Sequence, residues 1–125
     1  MARRKSLAFL DVGQGDCFVA DTKSGAIIFD GGSSSEDQVG RYRILPYMKY
    51  LGYQKIQIAV ISHMDIDHYS GIKELLEMGK IKYLGLPEIP KEKKKKKIIG
   101  IAKKRGTTIF YLSRGRQITT KDGSL

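Results

Sequence analysis

The stretch Ile61-Ser62-His63-Met64-Asp65-Ile66-Asp67-His68-Tyr69-Ser70-Gly71 decides how the rest of the chain is read. It holds both histidines of the protein, with two aspartates between or beside them, in the spacing H-x-D-x-D-H. Ahead of it runs the apolar series Ile56, Ile58, Ala59, Val60, Ile61, the signature of a buried strand. Behind it come Ser70-Gly71 and then Ile72, Leu75, Leu76 and Gly79 at helical spacing. The acids and imidazoles are therefore expected on a loop between a central strand and a helix that begins near Ser70. Open α/β sheets carry their chemistry at that edge.

Imidazole nitrogen and carboxylate oxygen are good zinc ligands and also suit manganese or iron. A plainer reading exists for each residue alone, since an aspartate can cap a helix and a loop histidine can be structural. For the four together, His63, Asp65, Asp67 and His68, a shared cation is the better account, because crowded charges need a counter-charge.

Working outward, Ser6 to Asp11 reads as a strand and Val12-Gly13-Gln14-Gly15 as a turn. Asp16 to Asp21 and Ala26 to Phe29 read as strands joined by the turn Thr22 to Gly25. Asp30-Gly31-Gly32 closes the third strand, and Ser33 to Asp37 is a polar loop. Pro46 suits the first turn of a helix with an apolar face of Ile44, Leu45, Met48 and Leu51, ended by Gly52. Past the central stretch, a strand spans Ile81 to Leu86. Pro87 and Pro90 precede a lysine-rich helix with Ile98, Ile99, Ala102 and Arg105, stopped by Gly106. Thr107 to Leu112 and Gln117 to Thr120 are late strands, and Asp122-Gly123 marks a turn. No repeat or linker divides the 125 residues, so residues 1–125 form a single domain.

Composition narrows the function classes. No apolar run approaches the roughly 20 residues that span a bilayer, and the basic start runs into Asp11 without the apolar region of a signal peptide. Cys17 is the one cysteine, which excludes an internal disulfide and fits a buried, inert thiol. The net charge of +10 is lopsided. Residues 1–90 carry 11 Lys/Arg against 11 Asp/Glu, whereas residues 91–125 carry 12 Lys/Arg against Glu92 and Asp122. The run Lys93, Lys94, Lys95, Lys96, Lys97 is either a solvated helix face or a surface that attracts nucleic-acid phosphates.

Nucleotide-binding loops are excluded. Gly13-Gln14-Gly15-Asp16 leads into another strand and lacks the third glycine, and no G-x-x-x-x-G-K-[ST] string occurs. A Ser62–His63 relay is disfavoured because adjacent extended residues point to opposite faces.

Three stretches in order, Phe9-Leu10-Asp11-Val12-Gly13-Gln14-Gly15-Asp16, Phe29-Asp30-Gly31-Gly32 and Ser62 to Gly71, resemble the metallo-β-lactamase fold. More narrowly they resemble the soluble domain of the ComEC family of competence proteins, which internalise DNA. That branch carries Asp at the second ligand position, as Asp65 does here, and Val39-Gly40 with Ile44-Leu45-Pro46-Tyr47 also matches it. The resemblance implies an α/β (α+β) fold: half of an αββα sandwich, a mixed sheet with helices packed on one face. It implies up to two divalent metals, zinc or manganese, with His63 and Asp65 serving one and Asp67 and His68 the other. Asp67 would also orient or deprotonate the attacking water, with Asp30 in a supporting layer and Asp11 and Asp16 shaping the strand ends.

The implied function is that of a metal-dependent hydrolase, a nuclease-like domain acting on DNA during uptake. The implied partners are DNA, a membrane channel domain of the parent protein and a second copy through an open sheet edge. The chain itself is expected to be soluble, and the parent membrane-attached with this domain outside the bilayer, or else cytoplasmic. One departure stands out: no histidine follows His68 and only Asp122 follows Asp67 among aspartates, so the family's second ligand set is not in this sequence. The chain is thus expected to correspond to the N-terminal half of such a domain, with a basic segment 91–125, and to hydrolyse little alone. The alternatives are a nucleic-acid-binding module without chemistry and a structural half-domain.

Overall fold

Apolar residues alternating along short runs, with glycines between them, give strands; apolar residues three and four apart give the helices that join them. The computed structural model describes residues 6–11, 13, 15, 17–62, 66–88, 93–112, 119–120 and 123–124, and for 6, 66–68, 93–94, 119–120 and 123–124 the backbone alone. The elements are β1 (Ser6–Phe9), β2 (Cys17–Thr22), β3 (Gly25–Gly31), a π-helical turn (Gly40–Ile44) running into α1 (Leu45–Leu51), and β4 (Ile56–Val60). Then follow α2 (Ile66–Glu77), β5 (Ile81–Pro87), α3 (Lys93–Arg105), β6 (Thr108–Leu112) and the short pair β7 (Thr119–Thr120) and β8 (Gly123–Ser124).

Six strands form one mixed sheet in the order β1-β2-β3-β4-β5-β6. The first three are antiparallel neighbours, and β3 through β6 are parallel. Because strand order advances one way across the parallel part, right-handed crossovers place α1, α2 and α3 on one face. The core confirms it. Ile28, Ala59, Ile61, Leu84 and Leu86 from the sheet bury against Ile44, Met48, Ile72, Leu75, Leu76, Ile98 and Ala102 from the helical layer. The opposite sheet face buries a smaller set, Ala20, Ile27, Ile58 and Val60, flanked by Phe29, Phe110 and Leu112. A row of rings continues along it, Phe9 to Phe18 at 4.8 Å and Phe18 to Phe29 at 5.9 Å between centroids. A sheet with helices on one face and an apolar second face is the expected half of an αββα sandwich.

Several boundaries differ from the sequence reading. β1 ends at Phe9 rather than Asp11, because the Asp11 carboxylate accepts the Gly13 N–H at 3.1 Å and turns the chain. β3 continues through Gly31. The largest shift is at α2, which starts at Ile66, a full turn before Ser70. Asp67 then stands in the first turn, where a carboxylate is favoured by the helix dipole. Ser70 does not cap; its hydroxyl is engaged with Ser33. The helix stops fall where glycine permits a left-handed backbone: Gly52 (φ 95), Gly79 (φ 70) and Gly106 (φ 76). Among the late strands, Gln117 lies outside the described residues.

Candidate metal centre at the carboxyl edge of the sheet

Strands β3 to β6 point the same way, so their carboxyl ends and the loops leaving them share one edge. Ile61 closes β4 there, fully buried, with its N–H donating to the Gly85 carbonyl at 3.0 Å. Ser62 follows, the last described residue before His63. Its N–H donates to Asp30 Oδ1 at 2.7 Å and its hydroxyl to Asp30 Oδ2 at 2.6 Å. Asp30 itself sits at φ 59, a left-handed conformation that aspartate tolerates better than most residues. Both oxygens of this carboxylate are thus directed at the backbone and side chain that launch the H-x-D-x-D-H segment.

Past the segment, α2 is tied to the loop that leaves β3. The Ser70 hydroxyl accepts the Ser33 N–H at 3.0 Å and is 3.4 Å from the Ser33 carbonyl oxygen. The Glu74 carboxylate accepts the N–H groups of Gly40 (3.2 Å) and Arg41 (3.4 Å), which begin the π-helical turn and have no partner within it. Backbones touch at the same place: a Cβ on Gly40 would lie 2.5 Å from the Gly71 carbonyl oxygen, and one on Gly71 would lie 2.8 Å from that of Gly31. The loop from β3 is thereby stitched to α2 by glycines and a carboxylate that sequence reasoning passed over. A glycine inside an otherwise helical pattern was the available signal.

The expected site residues distribute as follows. Asp67 and His68 are the second and third residues of α2 by backbone position. His63, Asp65 and Asp16 lie outside the described residues. Asp30 accepts two hydrogen bonds from Ser62, and Asp11 makes a local turn. Among the described residues no three His, Cys, Asp or Glu side chains converge. The donor types in this stretch suit a divalent cation, and the described residues that flank it, Ser62 and Ser70, are held by Asp30 and by Ser33. Cys17, buried in β2, is no competing nucleophile: burial and then the Asp30 charge push its thiol up to about 12.

Of the basic run, Lys93 and Lys94 open α3 by backbone position, Lys96 and Lys97 are exposed, and Lys95 Nζ lies 5.0 Å from the Tyr111 ring centroid. Among the described residues no helix is long and apolar enough to cross a membrane.

The model of the Metallo-beta-lactamase superfamily matches residues 10–122. The chain is also similar to the ComE operon protein 3 of Bacillus subtilis (strain 168), 29% identical over 128 aligned residues. That alignment covers 90% of this chain and 16% of the relative, so the chain spans a small part of the relative's length. Family model, motif order and half-sandwich fold agree, and the chain belongs to the metallo-beta-lactamase superfamily.

Proposed function

We infer that this chain contributes the first ligand set of a metal-dependent phosphodiester hydrolase, with DNA as substrate. The observation that carries the reading is the double hydrogen bond from Ser62 to Asp30, which fixes the start of the donor segment at the sheet's carboxyl edge. His63, Asp65, Asp67 and His68 would hold the metal, zinc or manganese, and a second ion in an intact site. A divalent cation bound there supplies a Lewis acid for the scissile bond and brings the pKa of water to near 7. Asp67 orients the attacking water and accepts its proton. Asp30 keeps the loop from relaxing away from these ligands, the part that outer-layer hydrogen bonds play in metal sites. DNA as the phosphodiester follows from the ComEC resemblance of the three motifs, and the +10 charge concentrated in residues 91–125 supports a polyanionic partner. Residues 1–125 act as one unit in this reading, with the basic segment as its substrate-facing part.

The test is a calorimetric titration of the metal-stripped chain with zinc and with manganese, beside His63→Ala and Asp67→Ala. Binding tighter than about 10 µM, roughly 7 kcal/mol, that both substitutions abolish is the expected result. Absent binding, or binding that survives both substitutions, overturns the metal assignment.

A further inference from the structure

Helix α3 carries Lys93 to Lys97, Lys103, Lys104 and Arg105 in 13 residues and no acid. Its N-terminal end, where the helix dipole is positive, is the unfavourable end for lysines. No acidic residue within the helix offsets that arrangement. The exposed residues pick out where. Lys96, Lys97, Gly100, Lys103 and Lys104 all face solvent, while Ile98 and Ala102 are buried on the opposite side. On a helix surface the neighbours of position 100 are the residues three and four away in each direction. Those four positions are 96, 97, 103 and 104, and every one is lysine. Among the described residues none of these four lysine side chains has an ion-pair or hydrogen-bond partner.

Gly100 is an independent pointer. A glycine in a helix interior costs about 1 kcal/mol relative to alanine. The usual justifications are a positive φ or a close neighbour, and Gly100 has neither: a Cβ placed there meets nothing within 4 Å. The bare backbone at the centre of the lysines leaves room for something that approaches from outside.

We propose that the α3 face of Lys96, Lys97, Lys103 and Lys104 around Gly100 is a seat for the sugar-phosphate backbone of a nucleic acid. The inference rests on nucleic acid being the partner in the proposed function, and it narrows the basic segment of that reading to one helix face that includes Lys103 and Lys104 and leaves out Lys95. The lysine stripe from 96 to 104 is about 12 Å long, an axial length in which duplex DNA presents about seven phosphate charges. Topology gives the seat its place. As the crossover from β5 to the parallel β6, α3 begins at the carboxyl edge and runs away from it, so a bound strand leads from the seat toward the donor segment. Lys95, turned onto Tyr111, is not part of it. An anionic membrane is the weaker fit, because an interfacial helix inserts large apolar side chains and this face presents none.

The experiment is a salt series of duplex-oligonucleotide binding by fluorescence anisotropy, run in EDTA so that it is independent of any metal. The chain is compared with Lys96→Gln/Lys97→Gln/Lys103→Gln/Lys104→Gln and with a control of equal charge, Lys23→Gln/Arg41→Gln/Lys49→Gln/Lys55→Gln. If all four lysines contact phosphate, the α3 variant loses about 3.6 from the slope of log K against log salt, so between about 50 and 200 mM salt the wild type weakens some 150-fold more than the variant. The control keeps most of the slope. Gly100→Gln leaves charge unchanged and raises the melting temperature, yet weakens binding about tenfold, the equivalent of one charge-assisted hydrogen bond. Equal slope losses in both quadruple variants, an unchanged slope in the α3 variant, or unchanged binding by Gly100→Gln each overturn the seat. Tighter binding to phosphatidylserine vesicles than to the duplex, lost in the same α3 variant, overturns it in favour of a membrane. Loss of zinc binding alone, with these results intact, would sink the metal assignment and leave the seat standing.

Discussion

Gly71→Ala and Gly100→Ala are the same substitution at two helix-interior glycines, and the structure requires opposite outcomes. In α2, a Cβ on Gly71 would stand 2.8 Å from the Gly31 carbonyl oxygen, 2.9 Å from Ile44 Cδ1 and 2.9 Å from Val39 Cγ2. All three are closer than a carbon tolerates, and the first is backbone of a central strand that cannot swing aside. Overpacking of this kind costs ~1–3 kcal/mol and on occasion more, against which alanine recovers ~1 kcal/mol of helix propensity. With rigid backbone on one side the upper part of the range applies, for a net loss of ~1–2 kcal/mol. In α3 a Cβ on Gly100 meets nothing, so the whole ~1 kcal/mol is gained. For a chain of this size each kcal/mol moves the melting temperature by ~3–5 °C. Gly71→Ala should therefore melt lower by about 3–10 °C and Gly100→Ala higher by about 3–5 °C, by calorimetry or circular dichroism, with matching shifts of the urea midpoint at unchanged m-value. A Gly71→Ala protein as stable as the wild type would refute the close contact between α2 and the β3 loop, and with it the account of how the donor segment is held.

Two further outcomes follow from the same edge of the sheet. Asp30→Asn keeps a residue that tolerates φ 59 but cannot accept both Ser62 hydrogens. It should cost ~1–2 kcal/mol in urea unfolding and weaken zinc binding about 10- to 100-fold by calorimetry; an Asp30→Asn protein unchanged in both removes Asp30 from any supporting role. Cys17, pushed from 9.0 to about 12, holds its proton more tightly folded than unfolded. Its contribution is complete below about pH 9 and lost as pH climbs toward 12, at ~1.4 kcal/mol per pH unit. Between about pH 9 and 10.5, then, wild type should lose on the order of 2 kcal/mol more than Cys17→Ala, and parallel curves would refute the burial of the thiol.

What the sequence disclosed and what it withheld divide along sequence separation. Strand and helix order was legible because alternation and 3.6-residue spacing are local. So were the helix stops at Gly52, Gly79 and Gly106, where one residue type answers one backbone need. The start of α2 was misplaced because Asp67 and His68 were read for ligand chemistry, which suits a loop, although a first-turn aspartate suits a helix equally well. The π-helical turn was invisible because its cause lies elsewhere: Glu74 receives its leading N–H groups, and position 40 must be glycine because a Cβ there would stand 2.5 Å from the Gly71 carbonyl oxygen. The Asp30–Ser62 link, spanning 32 positions, is equally a product of β3 pairing with β4. The four lysines around Gly100 are split in sequence between the run Lys93 to Lys97 and the pair Lys103-Lys104, so the letters alone do not join them. Only exposure along α3 separated Lys95 from the solvent face and joined Lys103 and Lys104 to it.

The helical layer is electrostatically uneven about α2, and that unevenness bears on how a polyanion reaches the donor segment. Between the β3 loop and α2 lies an open cleft walled by Glu36, Asp37, Glu74 and Glu77, with Lys73 in its lining and Arg43 paired to Glu36 at 3.1 Å, so the wall keeps an excess of acid. On the other side of α2 stands α3 with its lysine face. Both flanks start from the same edge of the sheet, the one at which β4 ends and α2 begins. A phosphate chain approaching from the cleft meets like charge, whereas one lying along α3 meets lysines at every helical neighbour of Gly100. Under the proposed function, repulsion on one flank and attraction on the other would favour a single orientation without any contact to a base. Glu74 serves this arrangement twice, once as the acceptor that docks the π-helical turn and once as part of the acidic wall. Its replacement by glutamine leaves one acceptor oxygen for the Gly40 and Arg41 N–H groups, so it should lower the urea midpoint by loosening the π-helical turn as well as weaken the discrimination between the two flanks.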